Sequence, residues 1–283
     1  MPGSDLNEMA SEASSFGPPT LKDSPLAGYE QSPLLGRAGF RHAFFTRLGG
    51  VSTGPFESLS FSTAVGDSPR NVDENLARAA AVLGVEAERI LYLSQVHGSV
   101  THYFTHTERR ERSITLEGDA VGGAHPGSAY GVRSADCVPL LVADQRSGAV
   151  MAIHAGWRGV VGGAVEAGVE CLRQRIGGGG ELLAAIGPHI SAAAFEVSDE
   201  VAEKLAAACP VSGAVEQSAG QKPRVSLRFI VTQKLLALGL PESAIDQVGG
   251  CTSLDQARYF SFRRDGKTSG GHLSAIVPRP SQP

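Results

Sequence analysis

The stretch that most constrains this 283-residue chain runs from Ser134 to Gly159. Two apolar runs of strand length, Val138-Pro139-Leu140-Leu141-Val142-Ala143 and Ala149-Val150-Met151-Ala152-Ile153, flank Gln145-Arg146-Ser147-Gly148. Strand-length runs separated by turn residues predict a β-hairpin. Cys137 stands where the first run begins and His154 where the second ends, both away from the turn. In an antiparallel pair those ends lie side by side, so the thiol and the imidazole can approach one another. The only tryptophan follows at once, in Gly156-Trp157-Arg158-Gly159.

Elsewhere the pattern mixes strands and helices. Residues 1–31, rich in Ser, Pro, Gly and acidic side chains, read as a disordered or loosely attached leader, and a single domain is expected over 32–283. Structure is expected to begin near Leu34, and Gly39 to Arg47 has strand character. The Gly49-Gly50 loop after Arg47 is either a plain turn or a cradle offering backbone N–H groups and a guanidinium to an anion. Asp73 to Leu83 reads as a helix stopped by Gly84, and Ile90 to Val96 as a strand delivering His97 to a loop. Thr101 to Arg112 is polar and charged, so His102 and His106 are expected to be solvated. Gly118-Asp119-Ala120-Val121 starts another strand. Val160 to Arg175 reads as one helix whose N-terminus, beside His154, is a seat for an anion. Leu182 to Ile186 and Leu273 to Val277 read as strands, Ser198 to Ala208 and Leu227 to Leu238 as helices. Without strict alternation the pattern favours an α+β fold over a doubly wound parallel sheet.

Composition narrows the function classes. A chain 42% hydrophobic can bury a large core, and a net charge of -4 gives no footprint for nucleic acid. No apolar run reaches membrane-spanning length and no signal-peptide pattern opens the chain, so a cytoplasmic protein is expected. Four cysteines do not make a disulfide framework in so long a chain, and Cys171, Cys209 and Cys251 lie among small apolar residues, as structural thiols do. His97, Cys137 and His154 each end or begin an apolar strand. An N, S, N donor set with a fourth position open matches catalytic zinc. The same trio suits a nucleophilic thiolate with a histidine base, or a buried thiol beside hydrogen-bonded histidines.

A set of motifs resolves into a resemblance. Thr46-Arg47-Leu48-Gly49-Gly50-Val51-Ser52, Gln95-Val96-His97-Gly98, Gly118-Asp119-Ala120, Ala135-Asp136-Cys137-Val138-Pro139-Leu140-Leu141, His154-Ala155-Gly156-Trp157-Arg158-Gly159, Ala185-Ile186-Gly187-Pro188-His189-Ile190, Glu196-Val197, Cys251-Thr252 and Phe260-Ser261-Phe262-Arg263-Arg264-Asp265-Gly266 together resemble the YfiH-type laccase-domain family. They span residues 40 to 278 in family order. The family carries the labels polyphenol oxidase, purine nucleoside phosphorylase and peptidoglycan editing factor. The resemblance implies layered mixed β-sheets flanked by helices, like the cysteine-hydrolase-like domain of cytotoxic necrotizing factors. It implies that His97, Cys137 and His154 are the metal-binding and catalytic residues, with zinc as cofactor and copper as the lesser alternative. It further implies phosphorolysis of adenosine, inosine and methylthioadenosine and deamination of adenosine. Zinc suits the deamination because a metal lowers the pKa of water. The partners are then a nucleoside and phosphate, with a monomer expected. Arg47 and Arg158 become candidates for binding phosphate, and Asp119 or Asp136 for orienting the sugar or a histidine.

The chain also departs from the family pattern. Leu76 stands where many members have an arginine implicated in activity, with Arg78 nearby on the same helix. Ser226-Leu227 replaces an Asp-Leu pair, Gly271-His272-Leu273 a Gly-Arg-Met triplet, and Ala194-Phe195 a Cys-Tyr pair. Two other readings therefore stand beside the phosphorylase: a cell-wall-precursor hydrolase using the same trio, with Cys137 as nucleophile or ligand, and a metal-binding protein that has lost catalysis. One Cys and two His cannot supply a four-copper laccase cluster.

Overall fold

A computed structural model of the chain describes residues 27–280. Its strands in the first half are β1 (Tyr29–Glu30), β2 (His42–Phe45), β3 (Ile90–Leu91), β4 (Thr101–Phe104) and β5 (Ala120–Gly123). Then come β6 (Ala129–Ser134), β7 (Val138–Asp144), β8 (Val150–Ala155) and β9 (Leu182–Ile186). β10 (Val215–Glu216), β11 (Arg224–Val225), β12 (Ile245–Gln247) and β13 (His272–Ile276) complete the set. A five-stranded sheet has the order β1-β2-β13-β6-β3, and a six-stranded sheet the order β12-β9-β7-β8-β5-β4. Both mix parallel and antiparallel pairs. The fold is α+β, as the mixed pattern predicted.

The apolar side chains sort into three cores that stack as layers. Phe44, Tyr130, Val132 and Ile276 of the first sheet meet Leu141, Ala152 and Ala185 of the second in the middle core. This is why β7 and β8 read as near-continuous apolar runs: every residue of both strands is buried. The helix Pro69–Leu83 covers the outer face of the five-stranded sheet with Val72, Leu76 and Ala79. Helices Ala164–Arg175, Asp199–Ala207 and Leu227–Ala237 cover the other outer face.

The hairpin forms in the predicted register. Val138 pairs with Ala155 and Pro139 with His154. Its turn is built by Asp144, whose carboxylate accepts from both the backbone and the hydroxyl of Ser147, and by Gly148 at φ 75°. That left-handed conformation is one that glycine adopts without steric cost.

Several boundaries differ from the sequence reading. β1 pairs with β2, so ordered structure begins before Leu34; residues 1–26 of the expected leader lie outside the described residues. The expected helix from Val160 to Arg175 is two helices, Trp157–Val161 and Ala164–Arg175. Gly163, at φ 82°, makes the break. The anion seat expected at its start is thus the end of a five-residue helix, too short to accumulate much dipole. β4 falls within the polar stretch after Thr101 and pairs only with β5, because an edge strand tolerates polar side chains. The predicted strand from Ile90 to Val96 stops at Leu91, with one isolated bridge at Ser94. The cysteines Cys171, Cys209 and Cys251 are free and half-buried, packing against the helix-side core without being sealed inside it.

Candidate active site

The strand directions bring a particular set of loops to one end of the six-stranded sheet. Residues 96–100 enter β4 there, Asp119 enters β5 and Cys137 enters β7. β8 delivers His154 to the same end, and β9 and β12 leave from it into residues 187–196 and 248–262. Residues separated by more than a hundred and fifty positions, from 96 to 262, therefore share one rim.

His97, Cys137 and His154 meet on that rim, their ligand atoms within 4.8 Å of one another. The two imidazoles stand edge to face, with ring centroids 4.9 Å apart at 79°. His154 is buried, Cys137 partly exposed and His97 exposed, so the site is anchored in the core and open on one side. Gly156 completes the cradle. A Cβ there would lie 2.9 Å from both Cys137 Sγ and His97 Cδ2, closer than such atoms pack. The sequence reading did not single out this glycine, because only the folded chain shows what its missing side chain leaves room for.

Asp119 holds two parts of the site at once. Its Oδ1 accepts from His154 Nδ1 at 2.8 Å and from the His97 backbone N–H at 3.0 Å. Its Oδ2 accepts from the N–H groups of Gly98 at 2.7 Å and Val96 at 3.2 Å. The carboxylate thus fixes the histidine ring and the loop that carries its partner. Burial pushes the Asp119 carboxyl up, but hydrogen bonds from His154 and Gly98 outweigh it and hold it below the usual carboxylate range. With Nδ1 given to Asp119, Nε2 of His154 is left for Cys137 or a metal, the carboxylate–histidine arrangement found behind many metal ligands. Gln95 steadies the same loop, exchanging two hydrogen bonds with the Arg133 backbone at 2.7 and 2.8 Å.

The electrostatics couple the thiol and the buried imidazole. Burial raises the Cys137 pKa, but the charge of His154 and hydrogen bonds from both histidines bring it down to about 6. For His154 burial works downward, and the Cys137 charge and the Asp119 bond overcome it, lifting the imidazole to about 9. A thiolate facing an imidazolium is competent as a nucleophile, and the same deprotonated sulfur is a metal ligand. The N, S, N donors, the open side and the Gly156 cradle all fit a zinc site with a free position.

Asp136 bonds to a different part of the chain from Asp119. Its Oδ1 accepts from Thr252 Oγ1 at 2.6 Å, and its Oδ2 from Ser261 Oγ at 3.0 Å and the Arg263 N–H at 2.6 Å. Asp136 has φ 96° and His97 φ 59°, and these are the two non-glycine residues with positive φ among those described. Backbone held outside its preferred region persists where surrounding bonds over-determine it. Here those bonds are the Asp119 and Asp136 networks.

The expected anion ligands are placed less uniformly. Arg158 is exposed and lies over the Trp157 ring at 4.4 Å, beside the cradle glycine. Arg47 braces its loop: Nε donates to the Glu57 carbonyl at 2.8 Å and Nη1 to that of Gln256 at 3.2 Å, with Phe260 stacked at 4.6 Å. The Gly49-Gly50 loop is no cradle either, since the Gly50 N–H donates to Ser58 Oγ and the Val51 N–H to Asn75 Oδ1. Leu76 is sealed in the core with Phe45 and Phe61, so an arginine is not missing from the rim at that position. Arg78 is occupied by Glu74 and the Gly49 carbonyl. His272 is buried, donating from Nδ1 to Ser134 and accepting the Phe260 N–H at Nε2. His106 is exposed as expected, and His102 is bonded to the Glu117 carbonyl.

Comparison with known proteins agrees with this geometry. The family described as multi-copper polyphenol oxidoreductase laccase matches residues 41–279. A protein of Deinococcus radiodurans named purine nucleoside phosphorylase is 36% identical over 241 residues, covering 84% of this chain and 89% of its own. A Pseudomonas aeruginosa protein of the same name is 36% identical over 242 residues, covering 85% and 93%. Among solved structures, YlmD from Geobacillus stearothermophilus superposes with a TM-score of 0.81 at 31% identity, covering 88% of this chain and 94% of that one. The Bacillus licheniformis hypothetical protein YfiH gives 0.78 at 27% identity, covering 84% and 92%. With the motif set, the sheet order and the match across nearly its whole described length in agreement, the chain belongs to the YfiH-type laccase-domain family.

Proposed function

We propose that this chain is a zinc-dependent purine nucleoside phosphorylase acting on adenosine, inosine and methylthioadenosine, with adenosine deaminase activity. The observation that carries the reading is the open His97, Cys137 and His154 group locked from behind by Asp119. The names of its relatives supply the substrate class. When bound at the trio, zinc supplies Lewis acidity for activating water at neutral pH. Asp119 keeps the His154 ring in one tautomer and orientation. Arg158, exposed over Trp157, is positioned to take phosphate by its guanidinium, a fork that matches phosphate oxygens. Arg47 contributes indirectly, by bracing the loop of residues 47–59. Copper is the lesser alternative, because among the described residues the trio is the one metal-ligating group of this kind.

The test is the metal content of purified protein by mass spectrometry, with inosine phosphorolysis followed on the parent and on Cys137→Ala. Near-stoichiometric zinc that disappears in the variant, with hypoxanthine released by the parent alone, is the expected result. Zinc without nucleoside turnover would overturn it.

A second reading has an observation of its own. The Cys137 sulfur lies within 4.8 Å of the His154 ring nitrogen, whose charge and hydrogen bond hold the thiol below its usual range, the arrangement of a cysteine nucleophile and its partner, which suits an editing hydrolase acting on a cell-wall precursor. Release of an amino acid from a muramyl-amino-acid substrate, with no nucleoside turnover, would select that reading. Stoichiometric metal with neither activity would identify the non-catalytic relative.

A further inference from the structure

The segment leaving β12 returns to the site and is held against the residue before Cys137. Asp136 takes the Ser261 hydroxyl and the Arg263 N–H on one carboxylate oxygen and the Thr252 hydroxyl on the other. Residues 261–263 therefore form a wall against Asp136, one position along the chain from the sulfur. Within that wall the neighbouring side chains are committed. Ser261 Oγ also caps the short helix Phe262–Asp265 by accepting the Arg264 N–H. Arg263 donates to the carbonyl of Glu196 at 2.9 Å and stacks over Phe195 at 5.3 Å. Arg264 is spent on the Thr252 and Tyr259 carbonyls and on Asp265.

Phe262 is left at the surface of this wall, 56% exposed, while the exposed Arg263 beside it is committed to Glu196 and Phe195. It is the one aromatic ring among the large apolar residues left exposed in the described chain; the others are aliphatic. An exposed aromatic on a rigidly tied segment forfeits burial energy, yet keeps a flat π face available to a ligand. Such a face is sequence-tolerant toward heterocycles, since every purine presents a matching one.

We infer that Phe262 is the stacking platform for the purine base, placed beside the trio by the Asp136 clamp. The inference rests on the nucleoside reading above and adds the residue that recognises the base. It assigns the wall to the base and leaves the Arg158 side of the rim for phosphate, so the two substrates approach from different loops. It also accounts for breadth between adenosine and inosine, because stacking does not discriminate between an amino and an oxo group at the purine edge.

The experiment compares the full-length parent with Phe262→Ala and Phe262→Tyr, measuring KM for inosine and for phosphate separately, alongside zinc content and thermal midpoint. Loss of one stacked ring raises the inosine KM roughly 5- to 150-fold in Phe262→Ala. Phosphate KM, zinc content and thermal midpoint stay at parent values, and Phe262→Tyr stays within about twofold of the parent. An active parent with an unchanged inosine KM in Phe262→Ala overturns the platform while leaving the nucleoside reading intact. A parallel rise in the phosphate KM, or loss of zinc, also overturns it, because the ring would then be supporting the rim. A parent that turns over no nucleoside removes the underlying reading, and the platform with it.

Discussion

Asp119→Asn isolates the device that organises the site. The carboxylate accepts four hydrogen bonds, two on each oxygen: His154 Nδ1 at 2.8 Å and the His97 N–H at 3.0 Å, then the N–H groups of Gly98 at 2.7 Å and Val96 at 3.2 Å. Asparagine has almost the same shape but only one acceptor oxygen. Whichever way its amide turns, an NH2 group faces two N–H donors. The less costly choice keeps the oxygen toward buried His154 and sets the NH2 against Val96 and Gly98. Each buried donor left unpaired costs about 1–3 kcal/mol, and the partly exposed loop lets water relieve some of that. A loss of about 2 kcal/mol in stability is the expected result, with zinc affinity reduced 10- to 100-fold because His154 loses its charged support. The assays are denaturant titration of the metal-free protein and zinc competition against a chromophoric chelator. Zinc affinity and midpoint both equal to the parent would refute the view that Asp119 orients the site. The sign with pH is fixed as well. Its carboxyl lies below the ordinary range when folded, so its contribution is present above about pH 4 and is lost as pH falls through the folded value.

Other perturbations have expected outcomes of their own. Gly156→Ala places a Cβ 2.9 Å from Cys137 Sγ and His97 Cδ2, so bound zinc should fall at least tenfold by metal analysis while the circular dichroism spectrum is kept. Leu76→Arg, the residue many relatives carry, should cost several kcal/mol of stability by denaturant titration and raise no activity above the parent's, because position 76 is buried in the core that holds Phe45, Phe61 and Ala79. Burial lowers the His272 pKa to about 4, against about 6.5 unfolded. The unfolded chain binds the extra proton between those values, so this contribution is full above about pH 6.5 and shrinks as pH falls toward 4. Between pH 8 and 5 the parent should lose about 2 kcal/mol more than His272→Gln by denaturant titration, and equal pH dependence would contradict the assignment.

How much of this was legible in one dimension varied with the range of the interaction. The hairpin was readable because its apolar runs and its turn are local, and antiparallel pairing then brings Cys137 to the same end of the hairpin as His154. The α+β class followed from the order of elements, and the helix ahead of Gly84 from its apolar spacing. Motif resemblance carried the trio itself. Arg47 read as an anion ligand because a guanidinium beside two glycines is locally indistinguishable from one; only the fold shows its bonds to the carbonyls of Glu57 and Gln256. Asp136 and Asp119 looked equivalent, each lying in a motif that carries the family resemblance. Topology separates them: Asp119 faces His154 across an antiparallel strand pair, while Asp136 clamps a segment more than a hundred residues downstream. The helix break at Gly163, the cradle at Gly156 and the burial of Leu76 likewise depend on what packs against them. Sequence alone determined the hairpin that brings Cys137 and His154 to one end, since apolar runs and turns are properties of neighbours along the chain. Tertiary structure decided which donors share one rim and which polar groups are already satisfied, because those depend on distances between residues that sequence spacing does not encode.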